Sequence, residues 1–381
     1  MDETTHVTHL FPNMQTVRYT YCWEGAVSAD FTLDAVRRRY ATLADLLNKR
    51  GWSCLVAYDT RFLSAQIAAD CYQGLRALGA RVALSSTPLP RPAVDVALDR
   101  GVADCAVIVS AGNRDYWLNG LIVIAPAPDL NPFVSGDLPP ECLPFPSEAP
   151  NASIIDARRA YIESLREAVD VDLARQTSLT IFVDVMNGAT GGIIPAVLGD
   201  GAQTKTIEIN RDPDAWFGRQ APHPHTAPLV RLRKLVRESD SHLGVAISAD
   251  GRALGVVDND GELAPHLDIA LLLAQYLNRQ RRQRGLVIVP ASAASAAWVR
   301  AWKAQTGLSV EFAERPAARI AEARAAHQLL VGVTEDGQPT IGRNGGIGDA
   351  PLAALLLVEL VARRNVKLRV LREKLRQPQG A

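Results

Sequence analysis

Strand and helix signals alternate along most of this 381-residue chain. The apolar run Ser53–Tyr58 predicts a strand, and the amphipathic stretch Ala65–Leu78 predicts a helix that ends at Gly79, since glycine commonly follows the last helical turn. Arg81–Leu84 and Cys105–Val109 predict two further strands. Because strand–helix–strand units place their strands parallel, the alternation predicts a mainly parallel sheet covered by helices.

The alternation divides into three units of similar rhythm. Residues 125–150 are rich in proline and weakly periodic, which is typical of an extended connection, so the units lie near 1–150, 151–264 and 265–381. In the second and third units the pattern predicts the helices Ile155–Val169, Leu267–Asn278, Ala296–Thr306 and Pro351–Arg363, the strands Leu179–Val185, Leu286–Pro290 and Leu329–Val333, and the runs Leu243–Ile247 and Gly255–Asp258 on either side of a short loop. No sequence repeat is visible, so the similarity of the units is architectural.

Composition excludes several classes of partner. Lysine plus arginine and aspartate plus glutamate both number 41, and a neutral chain of this kind argues against nucleic acid or an anionic membrane as the main partner. No apolar run approaches the roughly 20 residues that span a bilayer, and no secretory signal is visible. The five cysteines are scattered without a C-x-x-C pair, which favours a reducing, cytoplasmic setting.

The loop that follows the strand Cys105–Val109 covers residues 110–120 and reads S-A-G-N-R-D-Y-W-L-N-G. It resembles, without a gap, the phosphoserine loop T-A-S-H-N-P-x-x-Y-N-G of the α-D-phosphohexomutases, the superfamily of phosphoglucomutase and phosphomannomutase. The resemblance puts Gly112 at the serine that carries the phosphoryl group and Asn113 at the adjacent histidine. Glycine has no side-chain oxygen, so no catalytic residue of this loop is retained. Ser110 lies about 6–7 Å away along an extended chain, too far to replace the nucleophile.

Several other segments resemble the same superfamily in the same order. They are Tyr21–Gly25 with Asp30–Thr32 (S-G-W-R-G and D-F-T), Tyr58–Arg61 (Y-D-T-R), Thr87–Pro92 (T-P-x-P), Val183–Ala189 (V-D-P-M-H-G-A), and Arg211–Pro213 with Phe217–Arg219 (D-P-x-F-G-G-R). Their collinear order extends the resemblance over about residues 15–370. It implies an α/β protein with three tandem α/β/α sandwich domains, each with a mainly parallel mixed sheet, around a central cleft.

The family's metal loop is altered in this chain. The resemblance aligns its D-G-D-A-D-R, whose three carboxylates bind a divalent cation, with residues 248–253, S-A-D-G-R-A. Ser248 and Arg252 replace two of the carboxylates, and Asp250 alone survives as an anionic ligand. Mg²⁺ favours six oxygen donors, so we expect no metal here unless the protein is an active enzyme. Arg252 either pairs with Asp250 and substitutes for the metal's charge, or both residues lie in an ordinary surface turn.

The family's sugar-recognition loop G-E-E-S-G resembles residues 332–337, G-V-T-E-D-G. It retains Glu335, and Asp336 could serve as the second acidic group. These carboxylates either contact a polyol or lie in a solvated loop. Glu24 occupies the position of an arginine in the family's opening motif, which exchanges a phosphate-attracting charge for a repelling one. The family's fourth domain, whose loop clamps the substrate's second phosphate, has no counterpart in this sequence.

Four arginines are candidates to line an anion-attracting cleft: Arg61, Arg91, Arg114 and Arg252. His223-Pro224-His225 resembles a metal pair but has no third ligand at a suitable spacing, so we interpret it as a surface loop. The basic C-terminal segment from Lys367 to Arg376 predicts either an anion-binding face or a solvated helix face.

The combined losses favour a member of this superfamily without mutase activity, which serves as a phosphosugar-binding, regulatory or assembly subunit. Its partners would be a phosphosugar ligand, another protein or a second copy of the chain. An active phosphosugar enzyme, an intramolecular phosphotransferase with a non-standard or partner-completed site, is the alternative. A third possibility is a structural protein whose cleft binds nothing.

Overall fold

The structure, a computed structural model, describes residues 18–127, 153–225, 229–342 and 346–377. These residues form three sheets of six, five and four strands. Each sheet has parallel strands at its centre and at least one antiparallel strand at an edge. The fold is therefore of the α/β class with mixed sheets, as predicted. Most of the predicted proline-rich connection, residues 128–150, lies outside the described residues.

The first sheet contains the loop that follows Val109. In chain order its elements are β1 (Tyr19–Ala26), α1 (Leu33–Arg50), β2 (Ser53–Tyr58), α2 (Ser64–Ala77), β3 (Arg81–Ser85), α3 (Arg91–Asp99), β4 (Cys105–Val109), β5 (Leu118–Ala125) and β6 (Ile154–Ile155). The strand order is β1-β5-β4-β2-β3-β6. β4, β2, β3 and β6 are parallel, whereas β5 and β1 are antiparallel to their neighbours. β2 and β4 have the predicted bounds, and α2 lies one residue earlier than predicted.

The second sheet contains the loop 248–253. Its elements are α4 (Ala157–Ala168), α5 (Val171–Gln176), β7 (Thr180–Asp184), α6 (Ile193–Leu198), β8 (Lys205–Ile209), α7 (Val230–Glu238), β9 (Leu243–Ile247), β10 (Leu254–Asp258) and β11 (Leu263–Ala264). The strand order is β11-β10-β9-β7-β8, with β9, β7 and β8 parallel. β9 has the predicted bounds, β7 is one residue shorter than predicted at each end, and β10 begins one residue earlier than predicted.

The third sheet has the strand order β13-β12-β14-β15. Its elements are α8 (His266–Arg281), β12 (Leu286–Pro290), α9 (Ala297–Thr306), β13 (Ser309–Ala313), α10 (Pro316–Ala325), β14 (Leu329–Val333), β15 (Pro339–Ile341), α11 (Ala350–Arg364) and α12 (Leu368–Arg376). β12 and β14 have the predicted bounds. The sequence pattern missed β13, α10 and β15, because each is short and has only a weak periodicity.

One hydrophobic core connects the three sheets. Alternate residues of a strand in each sheet face this core: Leu55 and Ala57 of β2, Ile181 and Val183 of β7, and Val287 and Val289 of β12. The residues between them face three smaller cores on the opposite sides, as for Val56, Phe182 and Ile288. Both faces of each sheet are therefore buried, as in an α/β/α sandwich. Within the described ranges, no helix is long and apolar enough to cross a lipid bilayer.

The basic C-terminal segment forms α12, which packs on α8 and α9. Arg372 pairs with the buried carboxylate of Asp258, and its Nε lies 3.4 Å from an oxygen of the buried Asp268. Arg376 approaches the other oxygen of Asp268 to 2.8 Å. These two arginines neutralise buried carboxylates at the junction of the second and third sheets. They are therefore neither a solvated face nor an anion-binding face.

Replacing Arg372 with alanine should destabilise the protein by about 2–4 kcal/mol, because Asp258 would remain buried without its counter-charge. Arg369→Ala is the matched control, since Arg369 is half exposed and its pairs with Asp260 and Glu373 lie at the surface. The control should cost less than about 1 kcal/mol. Urea denaturation followed by tryptophan fluorescence measures both values. Equal values for the two variants would contradict the role assigned to Arg372.

Candidate functional site

A cavity of about 200 Å³ lies where the first and second sheets meet. Its walls come mainly from β1, the start of α3, the loop 110–114 after β4 and the loop 248–253 after β9, and Asp59, Ile108 and Ile122 complete them. The carboxyl ends of parallel strands converge here, which is the usual place for a ligand site in an α/β sheet. The sequence-predicted residues Gly112, Asn113, Arg114, Asp250 and Arg252 all line this cavity.

Gly112 faces the loop 248–253 directly. Its backbone N–H donates to Ser110 Oγ at 2.8 Å, and its φ of +59° lies in the left-handed region that glycine adopts without strain. A Cβ atom built on Gly112 would lie 3.5 Å from Asp250 Oδ2. A serine at this position would therefore need a left-handed backbone and would place its side chain beside a carboxylate.

Ser110 also lines the cavity, but its hydroxyl is already engaged. It donates to Asp59 Oδ2 at 2.6 Å and accepts the N–H of Gly112. The side chain of Ser64 donates to the other oxygen of the Asp59 carboxylate at 2.9 Å. All three side chains are buried. Ser110 thus fixes the loop against Asp59, and this geometry gives no support to Ser110 as a replacement nucleophile.

Arg61 holds the loop from the inside. Its side chain is 1 % exposed, its Nε lies 3.2 Å from Asp59 Oδ2, and its guanidinium lies over the ring of Phe217. The two terminal nitrogens donate to four backbone carbonyls, those of Gly112, Arg114, Asp115 and Leu118, at 2.6–2.9 Å. Arg61 is not part of the cavity wall. The sequence-based prediction of Arg61 as a ligand-binding residue is therefore replaced by a structural role.

Arg114 lies at the rim of the cavity and pairs with Glu24 at 2.8 Å. Both side chains are more than a third exposed. Glu24, which replaces an arginine of the family's opening motif, thus forms an ion pair with an arginine of the loop 110–120. Each charge is balanced by the other at the rim.

The loop 248–253 does not offer a Mg²⁺ site. The Ser248 hydroxyl donates to Asp250 Oδ1 at 2.6 Å and accepts the backbone N–H groups of Arg252 and Ala253. Asp250 Oδ1 also accepts the N–H of Arg252, so only Oδ2 faces the cavity. One carboxylate oxygen beside a guanidinium does not fit an ion that requires about six oxygen donors. Among the described residues, no group of three His, Cys, Asp or Glu side chains is placed to hold a metal.

Arg252 lies in the cavity wall between the three sheets. The bond that it makes to Asp250 comes from its backbone N–H and not from its guanidinium. Within the described ranges its Nε is buried and has no hydrogen-bond partner. Burial and the neighbouring Arg91 lower the pKa of Arg252. The arrangement therefore differs from both readings of the sequence, a side-chain pair with Asp250 and an exposed surface turn.

Two family models match this chain. The model of phosphoglucomutase/phosphomannomutase alpha/beta/alpha domain I covers residues 15–127, and the model of domain II covers residues 159–261. Together they span more than half of the sequence, and they include the altered loops 110–120 and 248–253. The chain belongs to the α-D-phosphohexomutase superfamily.

Curated relatives of this phosphohexomutase-family protein are named phosphoglucosamine mutase. The one from Chromohalobacter salexigens is 27% identical over 363 residues, covering 91% of this chain and 77% of the relative. The one from Cronobacter sakazakii is 25% identical over 360 residues, covering 89% and 79%. The identity is low, but the alignments extend along most of both proteins.

Solved structures share the fold. A Thermus thermophilus protein assigned as a phosphomannomutase superposes with a TM-score of 0.83 at 22% identity, covering 93% of this chain and 82% of the other. Parafusin (phosphoglucomutase) from Paramecium superposes with a TM-score of 0.77 at 12% identity, covering 94% and 76%. At these sequence identities the structural similarity establishes the architecture alone. The function has to be inferred from the residues of the site.

The sugar loop of the family, residues 332–337 here, lies at the end of β14 and outside the cavity wall. Asp336 accepts hydrogen bonds from Thr334 and Gln338 within its own turn. Glu335 is exposed. Of the two readings of these carboxylates, the structure is closer to a solvated loop, since neither lies in the cavity that contains Gly112 and Arg252.

Three histidines meet beneath this loop, and the sequence did not reveal them as a cluster. His223 is buried, and its ring lies 5.5 Å from that of His225, which lies 5.3 Å from the ring of His266. The interpretation of His223-Pro224-His225 as a surface loop is therefore wrong. Burial, with smaller effects from His266 and His223, lowers the pKa of His225 to about 4.

Acid should destabilise the protein through His225. Because its folded-state pKa lies below its ordinary value of 6.5, the stabilisation is present above pH 6.5 and is lost as pH falls towards about 4. Between pH 7 and 4.5 wild type should lose about 2 kcal/mol more than His225→Gln, after allowance for partial exposure. Burial raises the pKa of Asp349 to about 6, so protonation of Asp349 in acid has the opposite effect on stability. Asp349 is present in both proteins, so its contribution cancels when the two are compared. Urea titrations at both pH values measure the difference, and parallel pH profiles would contradict the assignment.

Arg61→Lys should destabilise the protein by about 2–4 kcal/mol, because an ammonium keeps the charge but cannot reach four carbonyls and Asp59 together. Arg100→Lys is the matched control, since Arg100 pairs with the exposed Glu167. The control should change the free energy of unfolding by less than about 1 kcal/mol. A small effect of Arg61→Lys would mean that other contacts hold the loop 110–120.

Proposed function

We propose that this phosphohexomutase-family protein has lost mutase catalysis and serves in the cytoplasm as a phosphosugar-binding, regulatory or assembly subunit. The observation that carries the proposal is Gly112, which occupies the position of the phosphoserine and faces Asp250 across the cavity. A mutase of this family transfers its phosphoryl group through a covalent phosphoenzyme. A glycine offers no oxygen to which the group could be attached.

The loop 248–253 supports the same proposal independently. Enzymatic phosphoryl transfer depends mainly on positioning and on neutralising the charge of the transferred group, commonly with a divalent cation. Ser248 and Arg252 leave one carboxylate oxygen free for a metal. The nucleophile and the metal donors are thus altered on both sides of one cavity, and no other serine or carboxylate in its wall replaces them in position.

A phosphosugar is the ligand class that the relatives favour. Curated relatives are named for a phosphorylated amino sugar, and a solved neighbour is N-acetylglucosamine-phosphate mutase in its substrate complex, with a TM-score of 0.50 at 12% identity. The arginines of the cavity wall are suited to a phosphate group.

The surface formed by the loop 110–120 and Trp216 supports an assembly role. Trp117 and Trp216 are about half exposed, and the ring of Tyr116 contacts both. A cluster of exposed aromatic residues is typical of a protein interface.

An active phosphosugar enzyme with a non-standard or partner-completed site is the second candidate. The names of the relatives favour it, because those from Chromohalobacter salexigens and Cronobacter sakazakii are named as mutases. It requires that another chain or an unrecognised residue supplies the nucleophile.

The purified protein should neither become phosphorylated nor interconvert hexose phosphates. Incubation with glucose 1,6-bisphosphate and Mg²⁺, followed by intact-mass measurement and a coupled assay for glucose and glucosamine phosphates, tests both points. Gly112→Ser should also remain unphosphorylated and should lose about 1–2 kcal/mol of stability to its left-handed backbone. Phosphorylation or turnover by wild type would overturn the proposal and favour the enzyme.

A further inference from the structure

Arg252 and Arg91 bring two guanidinium groups into one small cavity. Arg91 is the first residue of α3, and its backbone N–H donates to the carbonyl of Asp250 at 2.8 Å. The side chain of Arg91 is 12 % exposed and donates to Asp95 at 3.1 Å and to Thr20 at 2.9 Å. These contacts fix the position of Arg91 next to the loop 248–253. Among the described residues, these side-chain bonds engage two of its three guanidinium nitrogens.

The position of Arg252 is fixed by the packing of its loop. Gly251 has a φ of +79°, and a Cβ atom there would lie 2.6 Å from Cβ of Pro90. The carbonyl of Gly251 accepts the N–H of Ala350, and a Cβ atom on Gly348 would lie 3.2 Å from Nε of Arg252. All three sheets therefore contribute to the surroundings of this arginine. The backbone that carries this arginine is therefore held on several sides.

Three acidic side chains in or beside the cavity pair with arginines other than Arg252, and Asp250 has its Oδ2 facing the cavity. Asp59 is satisfied by Arg61 and by two serine hydroxyls, as described above. Glu24 pairs with Arg114, and Asp95 pairs with Arg91. Within the described ranges, Nε of Arg252 is buried without a hydrogen-bond partner, and the carboxylates of Asp250, Asp95 and Asp336 act on the guanidinium only through their charge. A cation held in this way is costly unless an anion accompanies it.

We propose that Arg252 takes the place of the family's divalent cation, and that this cavity binds the phosphate group of a phosphosugar on Arg252 and Arg91 without a metal. The proposal rests on the phosphosugar-binding function proposed above and specifies how that site works. A planar guanidinium donates two parallel hydrogen bonds to phosphate oxygens, which a bound cation does not do. Asp250 Oδ2, which faces the same cavity, would accept a hydrogen bond from a hydroxyl of the ligand.

The charge of the loop agrees with this substitution. Residues 248–253 contain one aspartate and one arginine, so their net charge is zero without a metal. The family sequence D-G-D-A-D-R reaches the same value only after it binds a divalent cation. Ser248 and Arg252 remove two of the metal's carboxylates, and together with Ala253, which replaces the final arginine of the family sequence, they bring the loop to a net charge of zero.

The test is binding of glucose 1-phosphate, glucose 6-phosphate and inorganic phosphate, measured by calorimetry in EDTA and again in excess Mg²⁺. We expect dissociation constants that agree within about twofold in the two buffers. Arg252→Gln should weaken binding at least tenfold, and Arg252→Lys should restore part of the loss, because the charge returns without the planar fork. Arg233→Gln is the control, since Arg233 pairs with Glu262 at the opposite end of β10 and makes the same change in net charge.

Each of the other possible results contradicts one part of the proposal. Binding that requires Mg²⁺, unchanged affinity of Arg252→Gln in a folded variant, or no binding of any of the three probes would overturn the metal-free site. Thermal unfolding without ligand establishes that each variant is folded. Turnover or phosphorylation in the assay of the previous section would instead overturn the loss of catalysis, and metal-free binding could still hold. Binding of inorganic phosphate with the same affinity as both sugar phosphates would restrict the site to phosphate and overturn recognition of a sugar.

Discussion

The helix α11 is the element on which the arrangement of the three sheets depends. Its residues from Ala350 to Ala362 are all buried, and it contacts helices or strands of both the second and the third sheet. An apolar helix without a solvent face can exist only where protein surrounds it on all sides. It therefore requires that the sheets close around one common core, and the loops at their ends converge as a consequence.

Two buried acids fix α11 in this core. Asp349 caps its N-terminus, accepts the N–H of Leu352 at 2.9 Å and accepts the hydroxyl of Tyr161 at 2.6 Å. Glu359, in the middle of the helix, pairs with Arg281 and accepts the backbone N–H of Asp170. Tyr161 and Asp170 belong to the second unit, so each acid joins two parts of the chain. Buried polar groups that are fully paired in this way specify one packing arrangement over others.

The packing around α11 also holds the cavity in place. The loop that contains Asp250 and Arg252 lies between the start of α3 and the start of α11, and it is bonded to both through backbone groups. Gly188 shows how close the contact is, because a Cβ atom there would lie 2.3 Å from Cα of Ala249. A loop held by backbone packing reduces the reorganisation that ligand binding requires, which favours strong electrostatic recognition.

The sequence predicted those parts of the fold that local periodicity determines. Strands such as Cys105–Val109 are continuous apolar runs, so their bounds could be read directly. Roles that arise from tertiary contacts could not. Arg61 was predicted to bind a ligand because the sequence does not show that its guanidinium donates to four carbonyls of a distant loop. The histidine cluster was missed because His266 lies 41 positions from His225 in the sequence. Gly112 and Arg252, which the sequence singled out, line one cavity, but their contacts could not be predicted from the sequence.

The proposed loss of catalysis also changes what the free energy of binding can do. Catalysis requires that the transition state is bound more tightly than the substrate, and that difference is used on the reacting group. With Gly112 at the nucleophile position, a phosphate held by Arg252 and Arg91 would be stabilised in its ground state alone. The binding free energy would then appear as added stability of the folded protein and not as a lower reaction barrier.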